Sequence, residues 1–270
     1  MTFAIQNAKL EKIFMFCPMN IQEKSLIVFD FDGTLNASKV PIDTEIKDLL
    51  TQLLEKKMVA IISGSGFDYY KLNILDVLEC PDDLLKKLFL FPTSSTRFYR
   101  FEGEWKQIYA DEIPQEERQM IKDAFEKAYR DIGYTHPPQV FGEIVEDRGT
   151  QITFSALGQQ APLELKQQWR ATQDRRPELI EALKKYLPEF EIKMPGVTSI
   201  DITRKGIDKA YGVEQMRDNL GIPISEMVFV GDALYEGGND HAVVRTGIDT
   251  FAVENPEDTK KLLRGWLAQL

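Results

Sequence analysis

The sequence predicts an α/β protein: a doubly wound, mostly parallel, Rossmann-like sheet interrupted by an inserted α+β module. Three observations carry that reading. Residues 26–29, 59–62 and 227–230 are short, near-continuous apolar runs, the pattern of parallel strands covered on both faces. Helix-periodic stretches alternate with them, as βαβ units require. Between about 112 and 197 the character changes to long amphipathic helices and strands that alternate polar with apolar residues.

Each element follows from local pattern. Behind Asp43 and Thr44, an N-cap region, Ile46, Leu49, Leu50, Leu53 and Leu54 recur at helical spacing. The strand 59–62 stops at Ser63-Gly64-Ser65-Gly66. A strand at 88–91 follows, and 96–101 with 105–109 reads as a hairpin around Glu102-Gly103-Glu104. Pro114 opens a helix whose Met120, Ile121, Ala124, Phe125, Ala128 and Tyr129 form one apolar stripe, and Pro137-Pro138 ends that region. Residues 151–154 alternate as a half-exposed strand, 174–187 form a helix through Leu179, Leu183, Tyr186 and Leu187, and 198–203 alternate again. A helix at 207–220, a buried strand at 227–230 and a short strand at 251–253 return to the α/β style. Asn255-Pro256 then caps a helix carrying Leu262, Leu263, Trp266 and Leu267. The expected division is a core of 1–111 and 198–270, with 112–197 inserted.

Composition limits the function. The formal net charge is -10, from 43 acidic against 33 basic residues, which argues against a nucleic-acid backbone as partner. A small anionic substrate needs only a local positive pocket. Cys17 and Cys80 are too few for a disulfide framework, and no Cys/His cluster has zinc spacing. No apolar run reaches bilayer length. Phe14, Met15 and Phe16 follow Glu11 and Lys12 and precede Pro18, a poor signal peptide, so residues 1–24 are read as an extension packing on the core. The cytoplasm is the expected compartment; neither nucleic acid nor membrane is an expected partner, and a homodimer is left open.

The chemistry begins at 26–35. Asp30 and Asp32 leave a strand two residues apart, and the two-residue period points both the same way. Converging carboxylates call for a cation or a shared proton. Gly33 permits a tight turn, and Thr34 offers a hydroxyl to an oxyanion. The arrangement suits carboxylate attack on phosphorus beside a divalent metal. Ser63, Gly64 and Ser65 sit where a strand gives way to a helix, so hydroxyls and N–H groups there suit phosphate oxygens. Lys209 falls in a first helical turn, the wrong sign for the helix dipole, so an anion is its expected neighbour. Asp232 ends a third buried strand at the sheet edge reached by Asp30, which completes an oxygen-rich pocket for Mg²⁺. Asp240 reads equally as a further ligand or as a helix cap.

These four pieces, in this order, resemble the haloacid dehalogenase superfamily of aspartate-nucleophile phosphotransferases. The resemblance implies Asp30 as nucleophile, Asp32 as acid/base, Ser63 or Ser65 as the phosphate-holding hydroxyl, Lys209 as the neutralising lysine and Asp232 as a magnesium ligand. The insert looks like a type IIB cap. Ser199-Ile200-Asp201-Ile202 leading to Gly206-Ile207-Asp208-Lys209, with 235–240 and 255–259, is similar to segments of the eukaryote-type phosphomannomutases. That likeness implies Arg148, Ser199 and Asp201 as substrate residues of the cap and hinge. Two departures stand out: Gln159 occupies the place of a second phosphate-binding arginine, and Ser94-Ser95 replaces an Asn-Gly. The expected metal list is therefore Asp30, Asp32, Asp232 and Asp240. The expected function is Mg²⁺-dependent hydrolysis of a small phosphorylated metabolite, a sugar phosphate, through an aspartyl-phosphate. The alternatives are a phosphohexomutase, which returns the phosphoryl group to the sugar, and a non-catalytic metabolite-binding protein, against which the full set of chemical residues counts.

Overall fold

The computed structural model describes residues 20–37 and 40–270. Seven strands form the main sheet: β1 (Leu26–Asp30), β2 (Met58–Ile62), β3 (Leu88–Phe91), β4 (Arg97–Phe101), β5 (Trp105–Ala110), β10 (Met227–Gly231) and β11 (Asp249–Ala252). Their spatial order is β11-β10-β1-β2-β3-β4-β5, parallel from β11 through β3 and antiparallel at β4 and β5. Every residue of β1, β3 and β10 is buried. The apolar runs are continuous because both faces are covered. Ile27 and Phe29 pack with residues of α1 (Thr44–Lys56), and Leu26 and Val28 with Val213 and Met216 on the other face. The Asp43 carboxylate caps α1 by accepting from Ile46 N–H, as the sequence suggests.

A second sheet, β6-β7-β9-β8, is antiparallel throughout: β6 (Val145–Asp147), β7 (Ile152–Ser155), β8 (Phe190–Lys193) and β9 (Ser199–Arg204). One face carries Ile152, Phe154, Ile200 and Ile202 into a core with α2 (Gln115–Ile132), α3 (Leu163–Gln173) and α4 (Arg176–Tyr186). The other presents Thr153, Asp201 and their cross-strand neighbours to the main sheet's strand ends. The chain returns through α5 (Lys209–Leu220) and finishes in α6 (Pro256–Leu267).

Several expectations change. The strand expected to be half-exposed at 151–154 is buried on both faces, because its polar face lies against the main sheet's loops. Met120, placed in the apolar stripe of α2, is 44% exposed. The stripe narrows to Ile121, Ala124, Phe125, Ala128 and Tyr129, since residue 120 turns off the packed face. Strand β8 and helix α3 carry too weak a periodicity to be foreseen; Trp169 is the one buried apolar residue of α3. The expected 112–197 division ends just before β9, which is hydrogen-bonded between β7 and β8. Of the expected extension, 1–19 lie outside the described residues, including Cys17, while Ile21 is fully buried in the main core. Among the described residues, no helix is long and apolar enough to cross a membrane.

Phe125 is fully buried and stacks on Phe154 with ring centroids 5.7 Å apart. Phe125→Ala is expected to cost about 3–5 kcal/mol in urea unfolding. An unchanged midpoint would mean that this core contributes little to the fold.

Candidate active site

The site lies at the carboxyl ends of β1, β2 and β10. Strand β1 ends at Asp30, which is 4% exposed. The chain then turns back, with Leu35 N–H donating to Phe31 O and Gly33 N–H to Asn36 O, both at 2.9 Å. Gly33 has φ +94°, and a Cβ there would overlap the Asp232 carboxylate, so glycine is required on both counts. Thr34 Oγ1 donates to Asp30 Oδ2 at 3.3 Å, and Thr259 of α6 holds the turn through Thr34 O at 2.7 Å.

Asp232 follows β10. A Cβ on Gly231 would overlap the carboxylate of Asp240, which accordingly fits against bare backbone, fully buried, and accepts from Ala233 N–H at 3.0 Å. Lys209 is the first residue of α5, and Asp208 caps that helix by accepting from Ala210 and Tyr211 N–H. The Lys209 ammonium donates to both Asp30 and Asp240. Those two carboxylates are the anions that its unfavourable place in the helix dipole calls for.

Oxygens of Asp30, Asp232 and Asp240 lie within 4.8 Å of one another. One lysine faces three acids, so negative charge is left over. Burial pushes the Asp30 carboxyl up to about 8 against the pull of Lys209, with Asp240 and Asp232 adding to the rise. Asp232 is raised too, by burial and then by Asp240. Burial alone would lower Lys209, but Asp30 and Asp240 outweigh it and keep the ammonium protonated. Hard oxygen donors with surplus charge at this spacing fit a divalent cation such as Mg²⁺.

Asp32, also expected at the metal, stands outside this group. The strand ends at Asp30, so the two-residue period that aligned the pair stops there; the Asp32 carboxylate instead accepts from Tyr69 OH at 2.7 Å. Ser63, Gly64 and Ser65 do come to the site, at the end of β2. Ser65 N–H donates to Ser63 Oγ at 3.1 Å. Asp201 reaches over this loop from β9, its Oδ2 3.2 Å from where a Gly64 Cβ would stand, and its Oδ1 accepts from Thr153 at 2.8 Å.

Arg148 is committed on two sides, to Glu146 at 2.6 Å and to Gly64 O at 2.9 Å. Ser199 pairs across the sheet with Ser155, and its carbonyl accepts from Arg176. Gln159 O accepts from the buried Lys166 at 2.7 Å. Tyr69, Ser94 and Gln151 also reach the site or its loops, and none of them is among the expected site residues. Ser94 stands out in the sequence only as a departure from an Asn-Gly, and Gln151 only as a polar residue heading a strand whose partners prove buried.

A mostly parallel sheet with acids converging at its strand ends, under a second antiparallel sheet, defines a phosphoryl-transfer enzyme of the haloacid dehalogenase type. The chain belongs to the eukaryotic phosphomannomutase family, which it matches over residues 46–269. It is 27% identical over 263 residues to a probable phosphomannomutase of Caenorhabditis elegans, covering 92% of this chain and 97% of that one. In fold it is similar to a Plasmodium falciparum IMP-nucleotidase, with TM-score 0.65 and 17% identity over 93% of this chain and 72% of that chain. A haloacid dehalogenase-like hydrolase from Bacteroides thetaiotaomicron superposes with TM-score 0.61 and 14% identity, over 90% of this chain and 99% of that chain.

The raised Asp30 has a consequence for stability. Between the carboxyl's ordinary 3.8 and about 8, the native metal-free protein binds a proton that the unfolded chain releases. Asp30 therefore subtracts more stability as pH rises through that window. The melting temperature of Asp30→Asn, measured in chelator, is expected to exceed that of the wild type by a margin that widens from pH 4 to pH 8. A margin independent of pH would contradict it.

Proposed function

We propose that this protein is a Mg²⁺-dependent phosphohydrolase that moves the phosphoryl group of a small phosphorylated metabolite, a sugar phosphate, onto Asp30 and then onto water. The observation that carries the reading is the buried Asp30 carboxylate held by Lys209 and flanked by Asp232 and Asp240. Asp30 Oδ attacks phosphorus while the bond from phosphorus to the leaving oxygen breaks, and Asp32, steadied by Tyr69, gives that oxygen its proton. In the second half Asp32 takes a proton from water, which attacks the phosphorus and frees Asp30. Ser63, Gly64, Ser65 and Thr34 supply hydroxyl and N–H donors to the phosphoryl oxygens, and Lys209 offsets their charge. Asp30, Asp232 and Asp240 would hold the Mg²⁺, which when bound offsets the surplus charge of acids and phosphate.

The substrate-selecting lid in this reading runs from 112 through β9 to 204, with Arg148, Ser199 and Asp201 facing the metabolite. The cytoplasm, where phosphorylated metabolites are kept, is the proposed location. A second reading, phosphomannomutase, is favoured by family membership and by the names of the relatives. Against it stands Gln159, whose neutral side chain replaces an arginine expected to grip a second phosphate.

Asp30→Asn, which keeps shape and removes the nucleophile, is expected to lower Mg²⁺-dependent phosphate release at least a thousandfold. Substantial residual turnover would overturn covalent catalysis through Asp30. With mannose 1-phosphate and a bisphosphate activator, inorganic phosphate is expected to form faster than mannose 6-phosphate. Efficient interconversion with little free phosphate would instead establish the mutase.

A further inference from the structure

The Ser63–Ser65 loop is gripped from behind by two parts of the molecule. From the main sheet, Ser94 N–H donates to Ser63 O and Thr93 N–H to Ser65 O, both at 2.9 Å. These donors sit on an unusual turn: Thr93, Ser94 and Ser95 have φ of +51°, +57° and +67°, a left-handed run without a glycine. Each such conformation is disfavoured for an L side chain, so a run of three persists only where its surroundings fix it.

From the second sheet comes Gln151, which has no exposed surface. Its Nε2 donates to Gly64 O at 3.2 Å and to Thr153 Oγ1 at 2.8 Å, and its Oε1 accepts from Ser94 Oγ at 3.3 Å. Thr150, one residue earlier, joins the buried hydroxyls of Thr93 and Thr96. One amide side chain thus touches both the phosphate loop and the strained turn behind it.

The geometry points to Gln151 as a positioning residue that couples closure of the second sheet over the site to the aim of the Ser63 hydroxyl. The inference rests on the phosphate-binding role given to Ser63 above. The peptide group is planar, so holding Gly64 O fixes the direction of the Ser65 N–H on the same unit. That N–H occupies a lone pair of Ser63 Oγ. With the lone pair taken, the hydroxyl hydrogen points away from Ser65, toward the Tyr70 hydroxyl oxygen in this structure and toward a phosphoryl oxygen when one is bound. When the second sheet lifts, Gly64 O loses Gln151 and Arg148 together, and the Gly64–Ser65 peptide is held through its flanks, at Ser63 O and Ser65 O, and no longer directly.

The test is a double-mutant cycle read by calorimetric binding of inorganic phosphate to the full chain with Mg²⁺, beside kcat and KM on mannose 1-phosphate. Gln151→Met keeps the length and removes both polar contacts. It is expected to raise the phosphate Kd about tenfold, as Ser63→Ala does, and the double variant to be no weaker than either single one. Gln151→Glu keeps the Ser94 contact but sets a carboxylate oxygen against Gly64 O, and is expected to lose at least as much. It serves as the reporter where Gln151→Met melts early. Effects of Gln151→Met and Ser63→Ala that multiply to a hundredfold, or a Gln151→Glu protein with wild-type phosphate affinity, would overturn the coupling. Wild-type protein that binds no phosphate would instead overturn the phosphate reading of the loop.

Discussion

The Lys209 ammonium between Asp30 and Asp240 is the interaction on which the site depends. Three carboxylates, one from the end of β1 and two from the connection after β10, cannot share one largely buried corner unless cations offset them. Lys209 supplies one unit of charge from the head of α5, and it reaches both acids because that helix starts beside the ends of β1 and β10. Gly33 and Gly231 then become obligatory, since each gives up its side-chain volume to a carboxylate. The remaining imbalance suits this cluster to a divalent cation, and it adds to the rise that burial imposes on Asp30.

The second sheet answers a different constraint. Its helix-facing side is packed with Ile152, Phe154, Ile200 and Ile202, but the opposite side carries hydroxyls, amides and charged groups that are also removed from water. Thr153 finds Asp201, Gln151 finds Gly64 and Ser94, and Arg148 finds Glu146 and Gly64. Each unmade bond on such a surface costs about 1–3 kcal/mol, so the polar face has to be answered by the loops of the main sheet or by a bound molecule.

Legibility in the sequence follows from how local each signal is. The strands β1, β2 and β10 were readable because burial on both faces leaves an unbroken apolar run, and Asp43 and Asn255 because an N-cap acts within three residues. The site's motifs were readable one by one, and Lys209 through a local contradiction with the helix dipole. Asp32 lies outside the cluster of Asp30, Asp232 and Asp240 because the two-residue alternation of side chains ends where the strand stops, at Asp30. β9 was seen as a strand, but its membership in the second sheet depends on pairing with β7 and β8. Met120 was misplaced because adjacent positions 120 and 121 straddle the edge of the stripe.

No short window of sequence contains both Gln151 and the turn at Thr93–Ser95, so only the fold brings them together. The substitution of Ser94-Ser95 for Asn-Gly removes the residues that accept positive φ most readily, yet the left-handed path is kept. Keeping it requires contacts from elsewhere: Tyr109 OH on Ser95 O, Thr96 and Thr150 on Thr93, and Gln151 on Ser94. Two of those four side chains belong to the second-sheet segment. The conformation behind the Ser63–Ser65 loop is therefore held partly by the second-sheet segment, which ties the geometry of that loop to the position of the second sheet.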